Sequence, residues 1–166
     1  MKRIGLLSDT HSFLDEKVFA YFEACDEIWH AGDIGNLELA DRLAAFKPLK
    51  AVYGNIDGHE LRKVYPKNAR FFCESLDVWI THIGGYPGHY DKDVQAAIRQ
   101  NPPDLFISGH SHILKVVRDP KLKNMLHINP GAAGINGFHK VKTLVRFSVS
   151  GKIIQDLQVI ELGARG

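Results

Sequence analysis

The sequence predicts a mixed α/β fold built on two β-sheets, and two features of the chain carry this prediction. In the N-terminal half, apolar strands alternate with amphipathic helices, an order that favours a parallel sheet covered by helices. In the C-terminal half, strands alternate with turns. There the segments VKTLVRFSV and IIQDLQVIEL meet at Ser150-Gly151, which is typical of a β-hairpin.

The N-terminal elements follow from the spacing of their apolar residues. RIGLLSD is a buried strand, and DEKVFAYFEACD has apolar residues at helical spacing, with Asp15 placed to cap the helix. The strand EIWHAG comes next, followed by the helix NLELADRLAAF, which Asn36 opens, and the strand LKAVYG. The order is therefore β-α-β-α-β, and ligand sites in such sheets lie beyond the carboxyl ends of the strands.

The later elements are mostly strands. ARFFCES and LDVWITH are predicted as neighbouring strands, DKDVQAAIRQN as a helix and DLFISG as a further strand. From LKVVRD onward, strands alternate with turns up to the C-terminal hairpin. No internal repeat, low-complexity segment or linker divides the sequence, so we expect a single domain over residues 1–166.

The composition is that of an ordinary globular protein and narrows the function. Of the 166 residues, 45% are hydrophobic and 24% are charged. The formal net charge is only +2, which gives no strong signal for nucleic-acid binding. Cys25 and Cys73 lie outside any paired-cysteine spacing, so we expect small buried hydrophobic residues rather than a disulfide or a thiolate zinc site.

The N-terminal segment MKRIGLLSDTH begins with basic residues, but its apolar run stops at Ser8 and Asp9. That run is too short for a signal peptide or a membrane span. We therefore expect a cytoplasmic protein that does not associate with membranes. The sequence leaves the oligomeric state open, including a homo-oligomer.

Side chains that bind metals follow nearly every predicted strand. They are Asp9 and His11 after the first strand, Asp33 after EIWHAG, Asn55 after LKAVYG, His82 after LDVWIT, and His110 and His112 after DLFISG. Any one of them alone is explained as well by turn chemistry or a helix cap. Their combination favours a common pocket, because carboxyl ends of strands gather at one edge and the glycines before Asp33, Asn55 and His110 let the backbone bend.

The types of ligand restrict the metal. Four histidines, two aspartates and one asparagine exceed what a single tetrahedral ion uses, but they suit two ions that share a carboxylate. A set of imidazoles and carboxylates without thiolates favours Mn²⁺, Fe, Zn²⁺, Co²⁺ or Ni²⁺ over a Ca²⁺ site. The residues themselves do not choose among these metals.

The segment LFISGHSHIL raises a geometric expectation. If the strand direction continues past Gly109, then His110 and His112 point the same way and face one cavity. Side chains two residues apart on an extended segment lie about 6 to 7 Å apart. Paired catalytic metals lie about 3.5 to 4 Å apart, so the two histidines are compatible with different ions in one site.

The ordered motifs SDTH, HAGD, GNID, TH and GHSH closely resemble the calcineurin-like metallophosphoesterases, in particular their small single-domain phosphodiesterase branch. The resemblance runs from Ile4 to about Gly131, where INPGA resembles the closing turn of that branch. It implies a two-sheet α/β/β/α sandwich. It also implies that Asp9, His11 and His112 hold a first metal, that Asn55, His82 and His110 hold a second, and that Asp33 bridges them.

The same resemblance implies a metal-dependent phosphodiesterase. Two divalent ions are expected, Mn²⁺ foremost, with Ni²⁺, Zn²⁺, Fe, Co²⁺ or Mg²⁺ as alternatives, and a hydroxide between them attacks a small phosphodiester or nucleotide-like substrate. The implied catalytic set is Asp33, Asn55 and Asp57. Asp57 occupies the acidic position of the family, where we expect it to orient a ligand.

The chain departs from the family pattern at Ile56. Many relatives carry a histidine directly after the motif asparagine, where it is thought to protonate the departing oxygen, and isoleucine cannot donate a proton. General acid catalysis contributes about 10² to 10⁴ in rate. Monoesters with alkoxide leaving groups should therefore be hydrolysed slowly, whereas diesters with good leaving groups remain suitable substrates.

Five other histidines are not among the predicted ligands. We expect His30 to be a structural histidine with satisfied hydrogen bonds, and His59 to be exposed, with replacement of the missing acid as its alternative role. His89 either meets the substrate or caps a turn. His127 and His139 are expected to be structural or exposed.

A non-enzymatic function is the alternative. A retromer scaffold subunit resembles this fold and binds protein partners with it, and in such a protein the ligand positions are free to change. Here all seven are present, which favours an enzyme. A serine or cysteine hydrolase and a phosphate-binding-loop nucleotide hydrolase are disfavoured, because the sequence contains neither G-x-S-x-G nor G-x-x-x-x-G-K-[ST].

Overall fold

Two five-stranded sheets form the centre of the protein, as seen in a computed structural model that describes residues 1–166. The first sheet contains β1 (Lys2–Leu7), β2 (Glu27–His30), β3 (Leu49–Ala51), β11 (Val141–Ser150) and β12 (Ile153–Ala164), in the order β12-β11-β1-β2-β3. The second contains β4 (Asn68–Cys73), β5 (Leu76–Thr81), β8 (Leu105–Ile107), β9 (Lys115–Asp119) and β10 (Met125–Asn129), in the order β4-β5-β8-β10-β9.

Four short helices and a small hairpin complete the fold. The helices are α1 (Lys17–Tyr21), α2 (Leu37–Phe46), α3 (His59–Val64) and α4 (Gln95–Gln100), and a 3₁₀ turn spans Pro120–Leu122. The hairpin is formed by β6 (Gly85–Tyr86) and β7 (His89–Tyr90). None of the helices has the length and apolar character needed to cross a lipid bilayer.

The central strands of both sheets run parallel, which the alternation of strands and helices predicted for the N-terminal half only. In the first sheet, β1 pairs with β2 through Leu7 and His30, and β2 pairs with β3 through His30 and Ala51. In the second sheet, β8 lies between β5 and β10 and runs parallel to both, with Ile107 opposite Ile80. The carboxyl ends of the parallel strands in each sheet therefore lie at one edge of that sheet.

The two sheets pack face to face through a core of 16 buried residues. The first sheet contributes side chains such as Ile4 and Trp29, and the second contributes side chains such as Ile80, Ile107 and Ile128. These residues alternate with outward-facing ones along their strands, because successive side chains of a strand point to opposite faces. Burial of this apolar surface holds the edges of the sheets in a fixed relation.

Helices cover the outer face of each sheet. Val18 of α1 and Leu43 of α2 pack against Leu7 and Ile28 of the first sheet in a second core of 15 buried residues. On the other side, Ile98 of α4 joins Trp79 and Phe106 of the second sheet in a cluster of six. The layers are therefore α/β/β/α, and the predicted fold class is confirmed.

The Asn36 cap is confirmed, but the N-cap of α1 is Glu16 rather than Asp15, and the helix lengths differ from the prediction. The Asn36 side chain accepts a hydrogen bond from the Leu39 backbone N–H (2.8 Å), and Asp15 accepts one from Lys17 N–H (2.9 Å). The segments predicted as DEKVFAYFEACD and DKDVQAAIRQN form helices of only five and six residues. Their apolar spacing continues into turns, so spacing alone does not mark the ends of these helices.

Helix α3 and the β6–β7 hairpin were not predicted. In α3 only Leu61 is buried, so the helix shows no repeating apolar pattern. Each strand of the hairpin has two residues, which is too short for an alternating pattern. His59 is exposed at the start of α3, as expected, and His89 is exposed in β7.

A buried carboxylate ties the first three strands together at their amino ends. Glu27 of β2 forms ion pairs with Lys2 of β1 (2.7 Å) and Lys50 of β3 (2.6 Å), and it accepts a hydrogen bond from Trp29 Nε1 (3.1 Å). Burial on its own would raise the pKa of Glu27, but the hydrogen bonds from Lys2 and Lys50 lower it from 4.5 to about 2. The folded state therefore favours the ionised carboxylate.

We predict that Glu27→Gln lowers the free energy of unfolding by about 1.5–3 kcal/mol at pH 7, because hydrogen bonds to a charged group are lost. The pKa of Glu27 is lower in the folded state, so its contribution is complete above pH 4.5 and disappears as the pH falls toward 2. Urea unfolding at several pH values should show the difference from wild type shrinking below pH 4.5. The exposed Glu23→Gln variant serves as control, and a difference that stays constant with pH would contradict this assignment.

Candidate metal centre

The seven sequence-predicted ligands all follow the carboxyl ends of the parallel strands. Those strands end at Leu7, His30, Ala51, Thr81 and Ile107. The histidines and acids form two groups whose ligand atoms lie within 4.8 Å of one another, Asp9 with His11 and His112, and Asp33 with His82 and His110. Side chains from both sheets contribute to each group, so the site lies where the two sheet edges meet.

The first group is centred on Asp9. Its Oδ1 lies 3.2 Å from Nε2 of His112 and 3.8 Å from Nε2 of His11. Its other oxygen, Oδ2, accepts hydrogen bonds from Ser8 Oγ (2.6 Å) and from the His110 backbone N–H (3.1 Å). These bonds fix the carboxylate so that Oδ1 faces the imidazoles.

The second group is centred on Asp33. Its Oδ2 lies 3.1 Å from Nε2 of His82, while its Oδ1 accepts a hydrogen bond from the Ile56 backbone N–H (3.0 Å). Asn55 belongs to this side of the site, because its Oδ1 lies 3.0 Å from Nδ1 of His110. Two imidazoles, a carboxylate and an amide oxygen thus converge.

Asp33 also connects the two groups. Its Oδ2 lies 3.4 Å from Nε2 of His11, a member of the first group, in addition to its contact with His82. In turn, Oδ1 of Asp9 lies 3.7 Å from Nε2 of His82. The placement of Asp33 Oδ2 between imidazoles of both groups is the geometry that a bridging carboxylate needs.

Several of these ligand atoms are buried without a hydrogen-bond partner. They include Oδ1 of Asp9, Nε2 of His11 and Nε2 of His82. The Nδ1 atom of His82 lies 2.7 Å from the Ala31 carbonyl oxygen, so an N–H there leaves the Nε2 lone pair directed at the carboxylates. Buried acceptors that face one another need a cation, and this set fits divalent metal ions well.

The electrostatics of the site are consistent with that requirement. Burial would raise the pKa of Asp9, but the neighbouring His11 and His112 hold it well below its usual range. Burial would also lower the pKa of His82, yet Asp33 and Asp9 raise it, and Asp9 likewise raises the pKa of His11. Histidine binds a metal only when neutral, so acid competes with metal at this site.

The backbone at the site is unusual. Five candidate ligands have left-handed conformations: Asp9 (φ 53°), His11 (φ 46°), Asp33 (φ 55°), His110 (φ 71°) and His112 (φ 63°). Such conformations are uncommon for residues other than glycine and collect at functional sites. The chain therefore turns sharply at each of these five residues.

This backbone corrects the expectation for GHSH. Strand β8 ends at Ile107, and neither His110 nor His112 continues it, because both are left-handed. Their rings point into different groups: His112 lies against His11 (5.4 Å between ring centres) and His110 against His82 (5.4 Å). The two histidines reach different groups, as implied, but through sharp turns rather than through an extended strand.

Two of the three glycines before the ligands mainly provide space. A Cβ atom on Gly54 would lie 2.1 Å from Oδ1 of Asp33, and one on Gly109 would lie 2.3 Å from Oγ of Ser8. Gly32, before Asp33, has a positive φ (103°) and bends the backbone as expected, whereas Gly54 and Gly109 have no positive φ. They allow the backbone to approach the buried carboxylates closely.

Asp57 lies beside the ligands and holds two of the loops. Its carboxylate accepts hydrogen bonds from the backbone N–H groups of Ile34 (3.1 Å), Gly35 (2.8 Å) and Gly54 (2.8 Å). These bonds join the turn that carries Asp33 to the turn before Asn55. Its oxygens are committed to backbone N–H groups, which is compatible with the orienting role expected for it, and that role stays a prediction.

Two of the histidines that are not predicted ligands, His30 and His127, are structural. His30 is fully buried, its Nδ1 accepts from the Gly32 N–H (3.0 Å), its Nε2 lies 3.0 Å from Thr10 Oγ1, and burial lowers its pKa to about 4. His127 is buried too, with Nδ1 3.1 Å from the Phe106 carbonyl oxygen. The structural interpretation of both is confirmed.

The loop before β11 supplies contacts that the sequence did not indicate. Asn136 places its amide 3.1 Å from Nδ1 of His11, and the ring of His139 packs edge-on against His112 at 5.2 Å. Both residues lie far from the motifs along the chain and follow no recognisable pattern. Ser8, by contrast, stands inside the SDTH motif, so its position next to Asp9 could have indicated its role.

Residues 1–152 match the sequence profile of the calcineurin-like phosphoesterase superfamily domain. The chain belongs to this superfamily. It is 30% identical to a probable metallophosphoesterase of Methanothermobacter thermautotrophicus over an alignment of 166 positions that covers 97% of this chain and 93% of that protein. It is also 29% identical to a phosphodiesterase of Methanocaldococcus jannaschii, over 78% of this chain and 82% of that protein.

Solved structures share the fold of this phosphoesterase. A structure described as a novel archaeal phosphodiesterase superimposes with a TM-score of 0.76 and 24% identity, covering 96% of this chain and 99% of its own. Vps29 of Entamoeba histolytica, in a complex with Zn²⁺, gives a TM-score of 0.72 at 15% identity, with 99% of both chains covered. At these identities the likeness establishes the fold alone.

We predict that Gly54→Ala weakens binding of Mn²⁺ by about 10-fold to 100-fold, the range seen when residues that support metal ligands are changed. The new methyl group would collide with Asp33 and displace it. Isothermal titration calorimetry measures the affinity. Gly58→Ala is the matched control, because nothing lies within 4 Å of a Cβ at that position. Equal affinities for the two variants would show that the placement of Asp33 does not matter for metal binding.

Proposed function

We propose that this phosphoesterase is a phosphodiesterase that depends on two divalent metal ions. The observation that carries the proposal is the position of Asp33 Oδ2, 3.1 Å from Nε2 of His82 and 3.4 Å from Nε2 of His11. One carboxylate oxygen between imidazoles of two separate groups suits two ions better than one. The unpartnered Oδ1 of Asp9 in the same space supports this view.

The residues divide naturally between the two ions. Asp9, His11 and His112 would hold the first, and Asn55, His82 and His110 would hold the second, with Asp33 shared. Nitrogen and oxygen ligands without a thiolate suit Mn²⁺, which we propose as the metal, and Zn²⁺, Ni²⁺, Fe, Co²⁺ and Mg²⁺ are the alternatives. When bound, the ions supply the positive charge that activates water near neutral pH and stabilises the phosphoryl oxygens.

The protein itself fixes the ligands in place before any substrate binds. Ser8 and the His110 backbone N–H orient Asp9, and the Ile56 backbone N–H orients Asp33. The carbonyl of Ala31 sets the orientation of His82. Because these supports are parts of the two sheet edges, the ligands need little reorganisation when a phosphate ester arrives.

The residue after Asn55 restricts which leaving group can depart from the ester. Ile56 is 46% exposed and its side chain has no ionisable proton, so it cannot protonate a departing oxygen. Esters whose leaving group is stable as an anion should therefore react best. We propose small phosphodiesters, including nucleotide-like ones, as the substrate class, and the phosphodiesterase of M. jannaschii at 29% identity supports this choice.

A protein-binding scaffold is the alternative function, and the fold shared with Vps29 is the observation that favours it. Exposed apolar side chains beside the ligands, such as Ile83 and Ile113, are also compatible with a docking surface. The scaffold does not account for the unpartnered buried ligand atoms of Asp9, His11 and His82. We therefore place the enzyme first.

The proposal predicts that chelation abolishes cleavage of bis(p-nitrophenyl) phosphate and that added Mn²⁺ restores it. Restored protein should cleave this diester faster than p-nitrophenyl phosphate, because the diester carries less negative charge. Release of p-nitrophenolate measures both rates.

The variant Asp33→Asn tests whether the shared carboxylate is needed for this activity. It keeps the size of the side chain but removes the shared charge, so we expect diester cleavage to fall by at least about 10²-fold, as for loss of a principal electrostatic group. Full activity after chelation, or a wild-type rate in Asp33→Asn, would contradict the proposal. A faster monoester would reject the diesterase preference and leave the metal dependence standing.

A further inference from the structure

A cavity of about 340 Å³ opens beside the metal-binding candidates. Thr81 at the end of β5 lines it, together with His82 and Ile83, which follow the strand. The segment from Tyr53 to Asn55 forms another part of the wall. Asn55 and His82 belong both to this cavity and to the candidate metal centre. A phosphate ester at the centre would therefore have one of its two arms next to the cavity.

Four charged side chains line the cavity. Arg62 and Lys67 come from the α3–β4 region, and Asp91 and Asp93 come from the segment before α4. No ion pair within 4.0 Å involves any of them. Cations and carboxylates thus line the same cavity without neutralising one another by direct contact.

Two of the four charges are already used by the protein. Arg62 donates to the backbone carbonyl of Asp57 (2.6 Å) and stacks over the ring of Tyr53 at 4.5 Å, so it supports the wall. The Asp91 carboxylate accepts from the Asp93 backbone N–H (3.0 Å). The Lys67 ammonium and the Asp93 carboxylate make no such bond and are free to contact a ligand.

A free ammonium donates hydrogen bonds, and a free carboxylate accepts them. An ester arm that suits both must carry acceptors and donors, as sugar hydroxyls and nucleobases do. An aryl or alkyl arm would displace water from both charged groups without forming hydrogen bonds to them, which lowers its affinity. The cavity volume lies within the range of small-molecule sites.

We propose that this cavity binds the retained arm of the diester and that Lys67 and Asp93 select arms rich in hydroxyl groups, such as a ribonucleoside. The proposal rests on the proposed phosphodiesterase function and deepens it by naming the residues that choose the substrate. Lys67 and Asp93 are specificity residues and take no part in bond cleavage. Their effect should appear in KM rather than in kcat.

The test uses two diesters with the same leaving group. The p-nitrophenyl ester of uridine 5′-monophosphate offers a ribonucleoside arm, and bis(p-nitrophenyl) phosphate offers an aryl arm. For the Mn²⁺-loaded protein, Lys67→Gln and Asp93→Asn should each raise KM for the uridine ester about threefold to tenfold. KM for the aryl diester and kcat for both esters should stay within about twofold of wild type.

Lys63→Gln is the matched control, because Lys63 is an exposed lysine of α3 that does not line the cavity. It should change neither KM. Equal changes in KM for the two esters in Lys67→Gln, or no change for either, would overturn the proposal. The phosphodiesterase function would still stand if the wild type cleaves the aryl diester.

Binding of uridine 5′-monophosphate, measured by calorimetry, gives a second readout that does not need turnover. Its affinity should fall about threefold to tenfold in Lys67→Gln and Asp93→Asn, whereas the affinity for phenyl phosphate should not. If wild type cleaves neither ester, the proposed function fails, and the calorimetry still decides whether the cavity binds a nucleoside. If Lys67→Gln and Asp93→Asn then bind uridine 5′-monophosphate as tightly as wild type, the cavity is not its binding site.

Discussion

Two buried carboxylates that face a common space with imidazole nitrogens are the constraint on which the rest of the structure depends. Asp9 is fully buried and Asp33 is 2% exposed, and each lies within 4 Å of Nε2 of both His11 and His82. Two negative charges in a buried site are unfavourable unless positive charge compensates them. Protons on the histidines can supply that charge, and so can metal ions, which is why acid and metal compete at this place.

The arrangement lowers the stability of the folded state, and the rest of the fold compensates for it. Left-handed backbone at residues other than glycine costs about 1 to 3 kcal/mol each, and Asp9, His11, Asp33, His110 and His112 all adopt it. The shared core between the sheets fixes the strands, and the Asp57 carboxylate ties the loops of Asp33 and Asn55 together. A rigid sandwich therefore presents loops whose strained turns point the ligands inward.

The sequence predicted the alternation of strands and helices in the N-terminal half and the convergence of the ligands, because both depend on local patterns. Apolar runs mark β1, β2, β5 and β8, and polar ligands directly after such runs must lie at the sheet edge. The left-handed turns at His110 and His112 were not predictable, since nothing in GHSH distinguishes a turn from a continued strand. Asn136 and His139 approach the site only through tertiary packing, so no local pattern reveals them.

Crystals soaked in Mn²⁺ and measured by anomalous diffraction give the most direct test of a dinuclear centre. The account predicts two anomalous peaks about 3.5–4 Å apart, the separation usual for paired catalytic metals, with Asp33 in contact with both. A single peak, or two peaks of which only one contacts Asp33, would contradict it.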